Sequence, residues 1–394
     1  MRAYNRRMIL NLIRQNGAQP KAEMARATGL SAQTVSVIVN ELLKERLVRK
    51  EEKVRGYVGQ PYTPISLNPG GALSIGLKIG RPSLELTLVN FIGGVEYYSS
   101  VQYDAPMRDD VIGHIEREFA KLFARTSDRQ RQRIVGVGVA MPGQIGEWTE
   151  EIGLAPGDLD DWTGFDITGA IGSIANLPVE IFNDGTAACA AEMQVGDSLT
   201  QPCALYIFLG SFIGGGIVLN GRLYQGEQGN AGAIGSMPVF LSPERPGRHQ
   251  LIDGASLRFL EKALHVEGIT GHATIADAVS DPRATPIFNK WRAPAAEAIA
   301  QAIACAMSVI DFQTVVIDGL LAREATDAIT EDVNRCLDKI DWRGLSPVQV
   351  RSGTVGPLSR VLGAGLLPLI REFSPDQELL VKRSGQSPSY KTKE

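Results

Sequence analysis

Near residue 70 the apolar periodicity of the chain changes, and this change limits the fold more than any other feature. Before it, apolar residues recur at helical spacing: Met8, Ile9, Leu12 and Ile13, then Leu30, Val35, Ile38, Val39 and Leu42. After it, short apolar runs alternate with longer segments of helical pattern. The runs predict strands over Leu73–Ile79, Leu84–Asn90, Val95–Val101, Ile134–Ala140, Val179–Phe182, Ala204–Leu209, Gly215–Leu219, Thr314–Ile317 and Val348–Ser352. Helices are predicted over Arg108–Arg125, Phe165–Ala175, Gly185–Val195, Ala255–Leu264, Ala295–Asp311, Arg323–Ile340 and Pro357–Leu367. Such alternation belongs to an α/β domain. Three strands followed by strand–helix units occur near residue 72 and again near 204, so two similar halves with a cleft between them are expected. A chain of 394 residues can hold this body and a small head.

The head reads as three short helices. Asn16-Gly17 ends the first, Pro20 opens the second, Gly29 stops it, and Ser31 caps the third. Two short helices joined by a tight glycine turn are helix-turn-helix grammar. With Leu30, Val35, Ile38, Val39 and Leu42 inward, Ser31, Gln33, Thr34, Ser36, Val37 and Asn40 lie outward or at the edge. Amide and hydroxyl groups of this kind read base edges in a major groove. The segment "RKEEKVRGYVGQPYTPISL" then predicts a β-hairpin wing, with Arg55, Gly59 and Gln60 at its tip near phosphate or the minor groove. Residues 1–60 hold twelve Lys/Arg against five Glu, a net +7, whereas the whole chain carries −4. The remainder therefore carries −11, and a basic head on an acidic body implies a polyanion partner for the head. A helical hairpin for protein contacts is the alternative, which the wing and the charge disfavour.

Several other classes are disfavoured. No run of eighteen apolar residues predicts a membrane span. The N-terminus lacks the apolar stretch and cleavage site of a secretory signal. Cys189, Cys203, Cys305 and Cys336 are far apart, which predicts buried, reduced thiols in a cytoplasmic protein.

In the body, "VGVGVAMPG" ends a strand in the Pro142-Gly143 turn, and "IFLGSFIGGGIVLNGRLYQG" is a hairpin turning at Gly210–Gly214. Successive glycines admit close backbone approach to an anion, although tight turns alone explain most of them. In "VEIFNDGTAACAAEMQVG" a strand ends at Asn183-Asp184 and a helix starts at once. Asp184 is either the cap of that helix or a carboxylate facing a ligand hydroxyl.

These segments, with "TVSVIVNELLKERLV", "GQPYTPISLNP", "LGSFIGGGIVLNGRLYQGEQGNAGAIGSMPV" and "VVIDGLLA", resemble the ROK (repressor, open reading frame, kinase) family of transcriptional regulators and sugar kinases. The resemblance implies a winged helix-turn-helix in front of a two-lobed actin/hexokinase-like, ribonuclease H-like domain. The boundaries expected are 1–70 for the head, 71–203 and 204–385 for the lobes, and 386–394 for a disordered tail, with a return of the C-terminal helix to the first lobe allowed. Kinase members carry an Asp-Xaa-Gly-Gly-Thr phosphate loop, and the matching run here is Lys78-Ile79-Gly80-Arg81-Pro82. A cation replaces the metal-binding acid and a proline replaces the threonine. Phe212 stands in the second phosphate loop, and Asp318-Gly319 replaces the adenosine-side Gly-Gly. Phosphoryl transfer requires metal-neutralised, positioned phosphates, so no catalytic residue is expected.

The family's zinc and sugar run reads Gly232-Ala233-Ile234-Gly235-Ser236, without its glutamate, its histidine or a following cysteine cluster. Neither a metal nor a cofactor is therefore expected. The implied ligand residues are Pro142, Gly143, Asn183, Asp184, Ala233, Ser236 and His249; the family's second sugar glutamate would fall near Ile252, beside Asp253. Trp148 and Trp162 lie on the loop leading to the sugar site, as lining or as loop packing. The implied partners are a palindromic double-stranded operator and a sugar-like effector, bound by a homodimer or tetramer. A sugar kinase, or a regulator answering to another metabolite or a protein, are the competing readings.

Overall fold

The computed structural model describes residues 1–54, 61–143, 145, 149, 153–241 and 246–375, so the expected tail at 386–394 lies outside the described residues. The head comprises α1 (Arg2–Asn16), α2 (Lys21–Thr28), α3 (Ala32–Lys44), β1 (Val48–Lys50) and β2 (Ile65–Leu67). Gly17 and Gly29 end the first two helices at positive φ. Ser31 caps α3, its side chain accepting from the Thr34 N–H. β1 and β2 pair antiparallel, Val48 opposite Leu67, and a bridge between Val54 and Tyr62 continues the wing outward. α1 buries Ile9, Leu10 and Ile13, so its inward stripe includes Leu10, while Met8 and Leu12 are only half-buried.

The body repeats one topology twice. The first sheet is built from β3 (Leu73–Ile79), β4 (Ser83–Asn90), β5 (Val95–Gln102), β6 (Ile134–Met141) and β7 (Val179–Asn183), in the order β5-β4-β3-β6-β7. α4 (Arg108–Arg125), α5 (Asp128–Arg131) and α6 (Ile167–Ala175) connect its strands. α7 (Asp184–Val195) then leads to the second sheet: β8 (Ala204–Leu209), β9 (Gly214–Leu219) and β10 (Arg222–Tyr224). A small ribbon of β11 (Pro238–Val239) and β12 (His249–Gln250) follows, then α8 (Ile252–Ala255), α9 (Leu257–Val266), α10 (Ile275–Ser280) and α11 (Thr285–Met307). β13 (Thr314–Gly319), α12 (Arg323–Leu337), β14 (Val350–Ser352) and α13 (Ser359–Phe373) complete the chain. The second sheet runs β10-β9-β8-β13-β14, the same order of antiparallel hairpin and parallel additions as the first.

Three predicted helices shift. The segment near 255 is broken at buried Ser256, whose Oγ accepts from the Ile213 N–H at 3.2 Å, giving α8 and α9. α11 begins ten residues before its predicted start, because Pro286 suits the first turn and Pro294 is accommodated inside. α13 likewise continues through Pro368. Of the cysteines only Cys189 is buried; Cys305 is exposed, and all four are free thiols. The expectation of uniformly buried thiols is corrected accordingly.

α7 lies on the second sheet and α13 on the first, and the two helices pack against each other between the sheets. Small residues permit this. A Cβ on Gly363 would fall on the carbonyl of Ala187, one on Gly138 on the carbonyl of Ala364, and one on Gly76 on that of Val361. The far end of α13 reaches the head: Leu369 shares a core with Ile9, Leu10, Ile13 and Phe91. Phe373 meets Phe91 edge-on at 4.7 Å, and the Arg14 guanidinium lies 5.2 Å from the Phe91 ring centre. Arg133 adds a polar tie, its Nη1 donating to the Glu45 carbonyl at 2.9 Å and to that of Gly71 at 3.2 Å.

Candidate functional site

Two surfaces carry the sequence-predicted residues. On the head, Gln33, Val37 and Asn40 are exposed, Thr34 and Ser36 half-exposed, and Val35, Ile38, Val39 and Leu42 buried. Gln33, Ser36, Val37 and Asn40 follow the i, i+3, i+4, i+7 pattern and so share one face of α3. Ser31 is occupied as the cap, bonding both the backbone and the hydroxyl of Thr34. Arg55, Gly59 and Gln60 lie outside the described residues. Lys21, which sequence reasoning did not single out, donates to Ser36 and Asn40.

In the body, Met141 stands in register with Asn183, so Pro142-Gly143 and Asn183-Asp184 emerge side by side at the C-terminal edge of parallel strands. Ligands of open α/β sheets bind at such edges. Asn183, and not Asp184, caps α7, its Oδ1 accepting from the Gly185 N–H at 2.9 Å. Asp184 accepts from the same N–H and directs Oδ2 to within 3.5 Å of Arg360 Nη1, on the first turn of α13.

Glycines bring the other lobe up to this corner. A Cβ on Gly185 would be 2.4 Å from the Gly215 carbonyl, and one on Gly232, at φ +86, would be 2.7 Å from Gly216 Cα. The Asn183–Asp184 corner and the Gly232–Ser236 corner therefore both rest on the glycine run of β9. Ala233 and Ser236 are exposed there. His249 is half-buried on β12 opposite Val239, with Nε2 buried and, among the described residues, without a hydrogen-bond partner. Asp253 accepts from the Gln250 N–H at 3.2 Å and faces Arg258 at 3.7 Å, while Ile252 is in the core. Trp162 donates to the Pro106 carbonyl at 2.8 Å and packs edge-on to Phe165, which is loop packing; Trp148 lies outside the described residues.

The altered phosphate loops are filled from within. Lys78, 2 % exposed, donates to Ser83 Oγ at 2.7 Å and to Glu85 Oε1 at 2.9 Å. Burial, and then Arg360, push its amine down to about 8, against the opposing pull of Glu85. The Arg81 guanidinium, from the β3–β4 turn, lies 4.3 Å from the Phe212 ring centre, and that of Arg258, from α9, lies 4.9 Å from it. The two loops thus meet each other directly. Behind them, fully buried Glu192 on α7 accepts from the backbone of Ser198, Thr354 and Val355 and from the Thr354 hydroxyl, at 2.9–3.1 Å. Asp318 accepts from Tyr206 and from the Gly356 N–H, each at 3.0 Å, and burial raises its carboxyl above the usual range. Both carboxylates hold the loop that leads into α13.

Sequence reasoning missed Glu85, Arg258 and Arg360. Glu85 had a signal, since the hairpin register places it opposite Lys78. Arg360 had none, being remote in the chain from Asp184. Among the described residues no group of three or more His, Cys, Asp or Glu side chains is placed to hold a metal, and no helix is long and apolar enough to cross a membrane.

A winged helix-turn-helix joined to a duplicated two-lobed body with actin/hexokinase-like topology is the class of protein defined here. The chain belongs to the ROK family, whose model matches residues 74–367; a model described as winged helix-turn-helix DNA-binding matches residues 2–49. It is similar to the protein y4fQ of Sinorhizobium fredii, 25% identical over 94% of this chain and 92% of the relative. It is also similar to the xylose repressor of Bacillus subtilis, 24% identical over 61% of each chain, so the match spans less than two thirds of that repressor. Among solved structures, a ROK family transcriptional regulator described as a homologue of the E. coli MLC protein superposes with a TM-score of 0.65. It is 19% identical, over 94% of this chain and 97% of that one, and shows the fold alone.

Proposed function

We propose that this protein is a DNA-binding transcriptional regulator, a repressor, whose kinase-like body binds a sugar or sugar-like effector without phosphorylating it. The observation that carries the non-enzymatic part is the Lys78–Glu85 pair. A buried ammonium stands where the kinases of the family place a metal-binding acid, and it is already satisfied by Ser83 and Glu85. The Arg81–Phe212 contact supports the same reading, because it joins the two loops that would have to part around a nucleotide. Detectable ATP-dependent phosphorylation of any hexose, lost in Asp184→Asn, would overturn it.

For the regulatory part, α13 is the supporting element. Its first turn carries Arg360 beside Asp184 at the ligand corner, and its last turn packs on the head through Leu369 and Phe373. A ligand that competes for Asp184 alters a contact on the same helix that supports the head. It shifts DNA affinity only if it binds the two arrangements unequally. A homodimer would set two α3 helices on half-sites about one helical turn apart.

Ala233 and Ser236 offer fewer hydrogen-bond partners than a hexose would use, which favours a modified sugar or another polyol over a simple hexose. Fluorescence anisotropy at fixed salt, comparing the upstream region of its own gene with random duplex, tests the DNA reading; equal affinities would count against it. A thermal-shift screen over sugars, polyols and sugar phosphates tests the effector class. A metabolite outside these classes that alone stabilises the protein would replace it.

A further inference from the structure

Ser36 and Asn40 lie one turn apart on the outward face of α3. Lys21, at the first position of α2, reaches both: its Nζ is 3.2 Å from Ser36 Oγ and 3.1 Å from Asn40 Oδ1. An ammonium has three donors and no acceptor, so it fixes the polarity of its partners. Asn40 must present its carboxamide oxygen to Lys21, which leaves the two N–H donors of its amide nitrogen for another partner. Ser36 spends a lone pair on Lys21, and its O–H proton remains free to donate.

We propose that Lys21 is a positioning residue that biases the Ser36–Asn40 part of the recognition face of α3 towards hydrogen-bond donation, selecting guanine over adenine at the base pair that meets Asn40. Guanine offers two acceptors in the major groove, N7 and O6. Adenine offers one acceptor and the N6 donor; for that donor Asn40 has only the second lone pair of its carboxamide oxygen, beside the Lys21 ammonium, which disfavours a further N–H there. The inference rests on the DNA-binding reading and adds the base class and the residue that sets it.

The test is selection of bound duplexes from a randomised half-site pool, at one salt concentration. Purified wild type is compared with Lys21→Met, Lys21→Arg and Asn40→Ala, each first checked for an unchanged melting profile. Wild type should favour guanine over adenine at one half-site position by roughly fivefold or more, the lower end of what a bidentate base contact supplies. Lys21→Met should lower that ratio to within about twofold while the other positions keep their preferences. Lys21→Arg, also purely a donor, should retain the preference, and Asn40→Ala should lose it at the same position. Suppose instead that Lys21→Met weakens all duplexes alike, reduces the salt dependence by about one phosphate, and leaves every base preference intact. Lys21 would then be a phosphate contact, and the inference would be overturned. A wild type that selects no sequence at all would overturn the DNA reading itself, a result distinguishable from the first.

Discussion

The Nζ of Lys78 lies 2.9 Å from Oε1 of Glu85, across a hairpin whose register sets these two residues directly opposite each other. Both side chains are shielded, with 2% and 13% of their surface exposed. A buried pair of this kind contributes little net stability while intact, but removing one partner leaves an uncompensated charge. Lys78→Met should therefore lower the unfolding free energy by about 3–5 kcal/mol. Lys78→Met with Glu85→Leu should recover most of the loss. Urea unfolding of the two single variants and the double variant gives the coupling directly; additive losses would show that the pair is not coupled.

The same lysine predicts a pH dependence. Its folded pKa, about 8, is below its unfolded value near 10.5. Below pH 8 both states hold the proton, and burial of the charge costs stability throughout. Between 8 and 10.5 the unfolded chain binds the proton and the folded chain does not, so stability rises with pH. Against Lys78→Met/Glu85→Leu, the wild type should gain on the order of 3 kcal/mol across this window. A flat difference between the two curves would refute the assignment.

Nucleotide binding should not return by restoring the phosphate loop alone. Lys78→Asp with Pro82→Thr sets a second carboxylate opposite that of Glu85 and leaves Arg81 in contact with Phe212. Titration calorimetry with ATP and magnesium should show no binding heat for the wild type or for this variant. Saturable binding to the variant would mean that the loop sequence, and not the closed contact with Phe212, excludes the nucleotide.

The packing of α13 predicts where the body is least tolerant. A Cβ at Gly138 would fall on the Ala364 carbonyl, with backbone on both sides unable to yield cheaply. Gly138→Ala should cost about 1–3 kcal/mol, seen as a lowered melting temperature. An unchanged melting curve would show that the helix can retreat from β6 at no cost.

At the other end of the helix, Phe91→Ala removes the ring between Phe373 and Arg14. Loss of a buried phenyl costs about 3–5 kcal/mol. The head should then melt separately from the body, giving two calorimetric transitions where the wild type gives one. A single transition at lower temperature would place the junction elsewhere.

The legible parts of this protein were those encoded by neighbours in sequence. Gly17, Gly29 and Ser31 mark the ends of the head helices because each satisfies a local backbone need. The central strands of the two sheets are buried on both faces and read as apolar runs. Prolines misled at α11 and α13, because their cost is local while the packing that tolerates Pro294 and Pro368 is tertiary. The Asn183–Asp184 corner was visible as a strand–helix junction, but the capping role went to Asn183, a difference that one backbone dihedral decides.

From sequence alone a basic helix-turn-helix head and a duplicated α/β body follow, because local patterning and charge suffice for them. That the run Lys78–Pro82 matches a phosphate loop without its acid and hydroxyl is what the resemblance to the ROK family implies. Only the tertiary structure could decide that Lys78 is satisfied from within, that Arg81 of one lobe meets Phe212 of the other, and that α13 joins Asp184 to the head. Each of these depends on side chains held together by packing that leaves no periodic trace in the sequence.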